Sequence, residues 1–290
     1  MDNAGGLVGK NVGGVITDSN ATGAVSGINN VGGLVGNNSD GASVSGSFAS
    51  GAVNSSGDTV GGLVGYNGNQ SGISTSFASG VVTSSGNQNV GGLVGTNDNS
   101  STIRSSFATG EVNVTAGYVG GLLGRNDFSS VVSDCFASGK VTGNNGTGGL
   151  VGFNEMSFVT NSFASGPVTG NNNVGGLVGY NYFSSVVTGS FSTGSVSGGS
   201  YNSPVGGLVG QNSAGYLIGS SIVNSFWFGD PDWSSYCYSG GPPFGDSNCS
   251  ERTKLSDFFV STNAPMASWD FVNVWHANEG AYPTLIWQHN

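Results

Sequence analysis

The phrase Gly-Gly-Leu-Val-Gly returns along most of the chain at a nearly fixed interval. Its leucines are Leu7, Leu34, Leu63, Leu93, Leu122, Leu150, Leu177 and Leu208, spaced 27 to 31 residues apart. A period between roughly 20 and 50 residues marks a stacked array, in which one repeat cannot bury its apolar face alone. A second phrase keeps step with the first: SFASG at Ser47, Ser76 and Ser162, SFATG at Ser106, CFASG at Cys135 and SFSTG at Ser190. A valine follows each within two residues (Val53, Val82, Val112, Val141, Val168, Val196). Each period therefore holds three short extended stretches between Gly, Asn and Ser turns, and no window long enough for an amphipathic helix. These features predict an all-β fold: a parallel β-solenoid of about eight coils over residues 1–218, each coil about 28 residues long.

Stacking at the inter-strand distance of about 4.8 Å would pile like residues into ladders. Phe48, Phe77, Phe107, Phe136, Phe163 and Phe191 form one expected column, read as an aromatic pillar inside the coil, and the leucines form another. Asn11, Asn38, Asn67, Asn97, Asn126, Asn154, Asn181 and Asn212 always stand two residues after the last glycine of the phrase. An amide can donate to one copy and accept from the next, so this column is read as corner structure. In the repeated phrase Leu and Val are adjacent, and on a flat strand they must point to opposite faces. Either the strand bends between them, the reading preferred because glycine stands on each side, or the column from Val35 to Val209 faces outward and supports lateral self-association.

The same stacking accounts for the shortage of charge. Only 8% of the residues are charged, because a repeated charge would face its own copy in the next coil. The formal net charge of -10 arises from 6 Lys and Arg against 16 Asp and Glu, which leaves no basic footprint for nucleic acid. No apolar run approaches the roughly 18 residues of a membrane span, so no membrane insertion by this segment is expected, and no signal segment follows Met1. Because the first copy of the phrase begins at Gly5, with nothing ahead of it to cap the array, the chain is expected to be a piece of a longer protein.

The Gly-Gly-Leu-Val-Gly phrase at this period resembles the GLUG-motif repeats of bacterial cell-surface proteins over about residues 5–212. The ending MASWDFVNVWHANEGAYPTLIW is similar to the closing segment that follows such repeats. The resemblance implies the company of large adhesins and of the noncatalytic regions of some immunoglobulin-A peptidases. The chain lacks the HExxH zinc site of such a peptidase, so no protease role carries over.

Beyond about residue 218 the composition changes. All five tryptophans and both histidines lie there, and residues 219–290 are read as a Trp-rich capping segment, with an aromatic sugar-binding surface as the rival reading. Cys237 and Cys249 sit in a Gly- and Pro-rich loop where a disulfide would staple a stretch without its own core, which suits an extracellular or bacterial cell-surface location. Cys135 replaces a repeat serine and is read as unpaired. Neither His276 nor His289 has a companion at metal-ligand spacing in the sequence, and no metal site or cofactor is expected.

Candidate ligand-binding residues come from stacking. Asp98, Asp127 and Glu155 follow the asparagine column on three successive coils, with Arg125 and Arg104 close by. Aligned carboxylates there could hold calcium, or serve as acid and nucleophile of a glycosidase, against the plainer reading of solvated corner charge. The residue before each column asparagine varies (Lys10, Asn37, Tyr66, Thr96, Arg125, Phe153, Tyr180, Gln211), as an outward column would. Its Tyr66, Phe153 and Tyr180 could stack on sugar rings or meet a protein. The expected function is a noncatalytic stalk or binding segment of an exported adhesin, with a glycan or a host or cell-surface protein as partner. The rival is a polysaccharide lyase or glycosidase using the acidic column.

Overall fold

A computed structural model describes residues 2–115, 117–198, 204–213, 219–228, 237, 249–252, 266–278 and 280–289. The described residues between 2 and 228 wind into a parallel β-solenoid: five sheets run along the rod, three of them eight strands deep, with seven turns of about 29 residues between the first and last leucine. The second coil shows the plan, with strands Val31–Gly32, Val35–Ser39, Ser43–Ser45, Phe48–Ala49 and Val53–Ser55. Registry is residue on residue: Val53 pairs with Val82, Asn67 with Asn97, and Phe77 with Phe107. No α-helix occurs among the described residues.

The bend between Leu and Val is present. Gly33 and Leu34 lie between two strands, and Leu34 and Val35 are both fully buried in one core cluster. That larger core lobe also holds the Val44–Ile73–Ile103 column and the alanines Ala49, Ala78, Ala108, Ala137 and Ala164. A smaller lobe stacks Val31, Val53 and their copies. The apolar column from Val35 to Val209 therefore faces inward and offers no outward stripe.

Phenylalanine does form one pillar, with successive ring centroids 4.8–5.5 Å apart from Phe48 to Phe226. It stands outside the core, correcting the expectation of an internal column. The strand Phe48–Ala49 has one residue pointing each way, and the inward one must fit against the glycine bend. A Cβ placed on Gly33 would come within 2.8 Å of the Ala49 Cβ, so only alanine has room inside and the ring is turned outward.

Turned outward, the pillar is partly covered by residues 266–278 and 280–289, a strap along the side of the rod. Trp269 stacks on Phe226 at 4.9 Å, Trp275 approaches Phe191 at 5.5 Å, and Trp287 lies 5.9 Å from Phe136 and 6.0 Å from Phe107. Two indole N–H groups fix the strap, Trp269 Nε1 donating to the Asn224 carbonyl and Trp287 Nε1 to that of Asp134, both at 2.9 Å. Phe48 and Phe77 make no ring contact with the strap among the described residues.

The C-terminal end of the core is closed by substitution within the ladders. The alanine column ends in Ser192 and then Trp227, which is buried in the core cluster over Gly207. The Cys237 carbonyl accepts from the N–H groups of Leu208 and Val209, as the Leu63 carbonyl does from Leu34 and Val35. Cys237 thus takes the next leucine position. Cys249 precedes the strand Ser250–Arg252, which pairs with Phe226–Phe228, and a disulfide joins the two cysteines. At the opposite end Leu7 is 52% exposed.

Candidate ligand-binding face

Two polar ladders stabilise the rod from within. Each column asparagine from Asn11 to Asn181 donates Nδ2 to the Oδ1 of the next at 2.8–2.9 Å. The second amide hydrogen goes to a backbone carbonyl three or four residues on, such as that of Ala42 from Asn38 or Ser130 from Asn126. Repeat serines form a second ladder, with Ser47 N donating to Ser76 Oγ at 3.1 Å and Ser47 Oγ to the Ser45 carbonyl at 2.8 Å. Cys135 enters that ladder as a serine substitute: it is buried and free, its Sγ lies 3.1 Å from the Ser133 carbonyl, and burial pushes its thiol up to about 12. A group so held is structural.

The variable column beside the asparagines does face away from the core and is in register from Lys10 to Gln211. It mixes aromatic and polar residues along its length, whereas two adjacent columns change character together. The corner that reads Asp40, Asn69, Asn99 in coils two to four reads Phe128, Met156, Phe183 in coils five to seven. The next outward column reads Ser43, Gly72, Thr102, then Val131, Phe158, Val186, and returns to Ser221. Phe128 is 50% and Phe158 40% exposed. All six corner residues have φ between 46° and 60°, a region that suits asparagine and is uncommon for Phe or Met. The repeat consensus explains none of the three bulky side chains.

Around this corner lies an aromatic cluster centred on Phe153. That ring is 5% exposed, stacked on Tyr118 at 4.5 Å, met edge-on by Tyr180 at 5.3 Å, and overlain by the Arg125 guanidinium at 5.4 Å. Phe153 is thus a support, and the rings that remain half-exposed are Tyr180 and Tyr182, 5.3 Å apart. Tyr118 reaches across because the next coil has Gly146, where a Cβ would stand 2.9 Å from its ring. Tyr118 itself has φ 52°, at a position that is Asn30, Asn89 and Asn173 in other coils.

The acidic column does not act as one cluster. Asp98 accepts a hydrogen bond from the Tyr66 hydroxyl at 3.0 Å; burial first, and then the Asp98 charge, pushes Tyr66 up to about 12. One Arg125 nitrogen bridges Asp127 and Glu155. Arg104 lies apart from them, bonded to Ser133 Oγ at 3.2 Å. Among the described residues no three His, Cys, Asp or Glu side chains form a group that could hold a metal ion. Several polar atoms here are buried without a partner among the described residues: Thr96 Oγ1, Asp98 Oδ1, Asn89 Oδ1 and Arg125 Nε. Such atoms mark hydrogen-bonding capacity that the fold has not used.

Asp127 is 3% exposed, and burial raises its carboxyl pKa, against Arg125, which lowers it, and with Glu155, which raises it further. A carboxyl raised on folding favours the native state while protonated, below its unfolded value of 3.8, and that contribution is lost as pH rises through the folded value. Asp127→Asn is therefore expected to unfold at a higher urea concentration than the parent chain at pH 7, with the gap closing at pH 3. A gap unchanged between the two pH values would refute it.

The histidines, distant in sequence, meet on the strap with ring centroids 4.3 Å apart, and His289 Nε2 lies 2.8 Å from Thr284 Oγ1. The sequence concealed that pairing because a chain reversal brings Trp275–His276 against Thr284–Leu285. Tyr118, Phe128, Phe158, Tyr182 and Phe183 were likewise not singled out in the sequence. Their signal is departure from the repeat, visible once positions are aligned coil by coil.

The GLUG motif family matches at residues 3–26, 86–115, 115–142 and 170–197. Neither a curated protein nor a solved structure matches the chain. The four matched segments fall on the stacked coils, and the chain is a β-solenoid that carries GLUG-motif repeats.

Proposed function

We propose that the chain is a noncatalytic stalk or binding segment of an exported bacterial surface adhesin, and that the aromatic face of coils five to seven contacts a glycan or protein ligand. The observation that carries this reading is the joint switch of two outward columns, from Asp40, Asn69 and Asn99 to Phe128, Met156 and Phe183, and from Ser43, Gly72 and Thr102 to Val131, Phe158 and Val186, the second returning to Ser221. Contiguous apolar surface of that kind is a liability on a rod unless something meets it. Tyr180 and Tyr182 supply flat rings with polar tips, and Arg125 and Glu155 supply charge at the rim. The disulfide suits an oxidising, extracellular location.

A polysaccharide-degrading enzyme is the second reading, favoured by the acids around Arg125. Both readings are separated by passing the purified chain over a polysaccharide panel while assaying reducing-end release. The stalk reading expects retention without release. Tyr180→Ala with Tyr182→Ala should lower retention by about ten-fold or more, on the usual value of aromatic contacts. Release that disappears in Asp98→Asn, Asp127→Asn, Glu155→Gln would replace the stalk with the enzyme.

A further inference from the structure

Between the strap and the rod lies a half-open cavity of about 280 Å³ lined by Ser105, Asp134, Asn273, Val274, Ile286 and Trp287. It lies at the other end of the strand Val131–Ser133 from the aromatic corner, beside the phenylalanine pillar. Ser105 and Asp134 are successive members of one corner column, with φ 45° and 56°, so their side chains project from the rod at neighbouring coils. The strap supplies the other wall. Trp287 is fixed there by its bond to the Asp134 carbonyl, Ile286 N donates to the Val274 carbonyl at 2.9 Å, and Asn273 is held by Asp270 at 2.9 Å.

The lining divides by chemistry. Val274, Ile286 and Trp287 give apolar surface, while Ser105, Asp134 and Asn273 give a hydroxyl, a carboxylate and an amide. A ligand matched to both must be small, with an apolar face and a rim of hydroxyl groups. The volume falls just below the usual range for small-molecule sites, enough for one ring and too little for an oligosaccharide. Asp134 is the one ionisable side chain in the lining, so an anionic ligand is disfavoured.

We propose that this seam is a binding site for a single neutral or amine-bearing pyranose, the terminal unit of a glycan or a free sugar. It is separate from the aromatic face, and either site stands if the other fails. The test titrates the full ¹⁵N-labelled chain with methyl glucoside, methyl glucosaminide and methyl glucuronide, following the Trp287 indole N–H and the Asn273 side-chain amide. The first two glycosides should shift both signals, with the glucuronide at least ten-fold weaker. Asp134→Asn, which keeps a residue suited to positive φ, should weaken glucoside binding about ten-fold, and Ser105→Gly should weaken it less. Tyr180→Ala should leave these shifts unchanged. No shift of Trp287 and Asn273 with any glycoside, equal binding of the glucuronide, or shifts insensitive to Asp134→Asn would each overturn the proposal.

Discussion

Gly121→Ala is expected to cost about 3 kcal/mol or more of stability, although it adds one methyl group to a residue with ordinary φ. The added Cβ would overlap the Gly149 carbonyl oxygen of the next coil and stand 3.0 Å from the Ala137 Cβ. Neither can yield alone. The carbonyl belongs to a backbone whose neighbour accepts from Leu122 N at 2.9 Å, and the alanine is fully buried. Two coils would have to separate, which breaks contacts in both core lobes. Gly72→Ala provides the contrast, because its Cβ meets only Thr102 Oγ1 at 3.5 Å; it should be neutral or stabilise by about 0.5 kcal/mol. Urea unfolding of both variants is the measurement, and equal midpoints would refute the argument from coil spacing.

Asn126→Asp should be as damaging at neutral pH and much less so in acid. Asn126 is fully buried and donates to Asn154 Oδ1 at 2.9 Å and to the carbonyls of Ser130 and Phe158 at 3.4 and 3.3 Å. A carboxylate has no hydrogen to give, so three acceptors would face a buried negative charge. The expected loss is about 3–5 kcal/mol, comparable to a buried charge without its partner. Protonation restores one donor and burial raises the pKa at which it occurs, so the loss should shrink as pH falls from neutrality and level off below about pH 4. Asn113→Asp, on the exposed face, should change stability by less than about 0.5 kcal/mol at either pH. A pH-independent loss for Asn126→Asp would show that the ladder bonds are not what that position contributes.

The architecture was largely legible in the sequence because each ladder repeats its own chemistry. The spacing from Leu34 to Leu208 sets the coil length, and an amide column repeated once per coil implies its own hydrogen bonds. The side on which the phenylalanines stand was not legible. A two-residue strand such as Phe48–Ala49 is apolar on both faces, so alternation cannot choose between them, and the choice is made by a glycine bend fifteen residues earlier in the chain. The strap was hidden for a related reason. Tryptophans placed in the last segment suit an end plug as well as a flank, and the structure uses Trp227 for one and Trp269, Trp275 and Trp287 for the other. At the candidate site, acids adjacent in the column were separable only once Tyr66 and Arg125 were seen to claim them.

The asparagine amides all point the same way. From Asn11 to Asn181 each Nδ2 faces the coil that follows, and because its second hydrogen is committed to a backbone carbonyl, no single amide can turn over without setting oxygen against oxygen. Seven links therefore form a polar wire whose dipoles add, each bond polarising the next. The rod has a built-in electrical sense: the Asn11 Oδ1 accepts no hydrogen bond among the described residues, so any further coil seated there must arrive donor first.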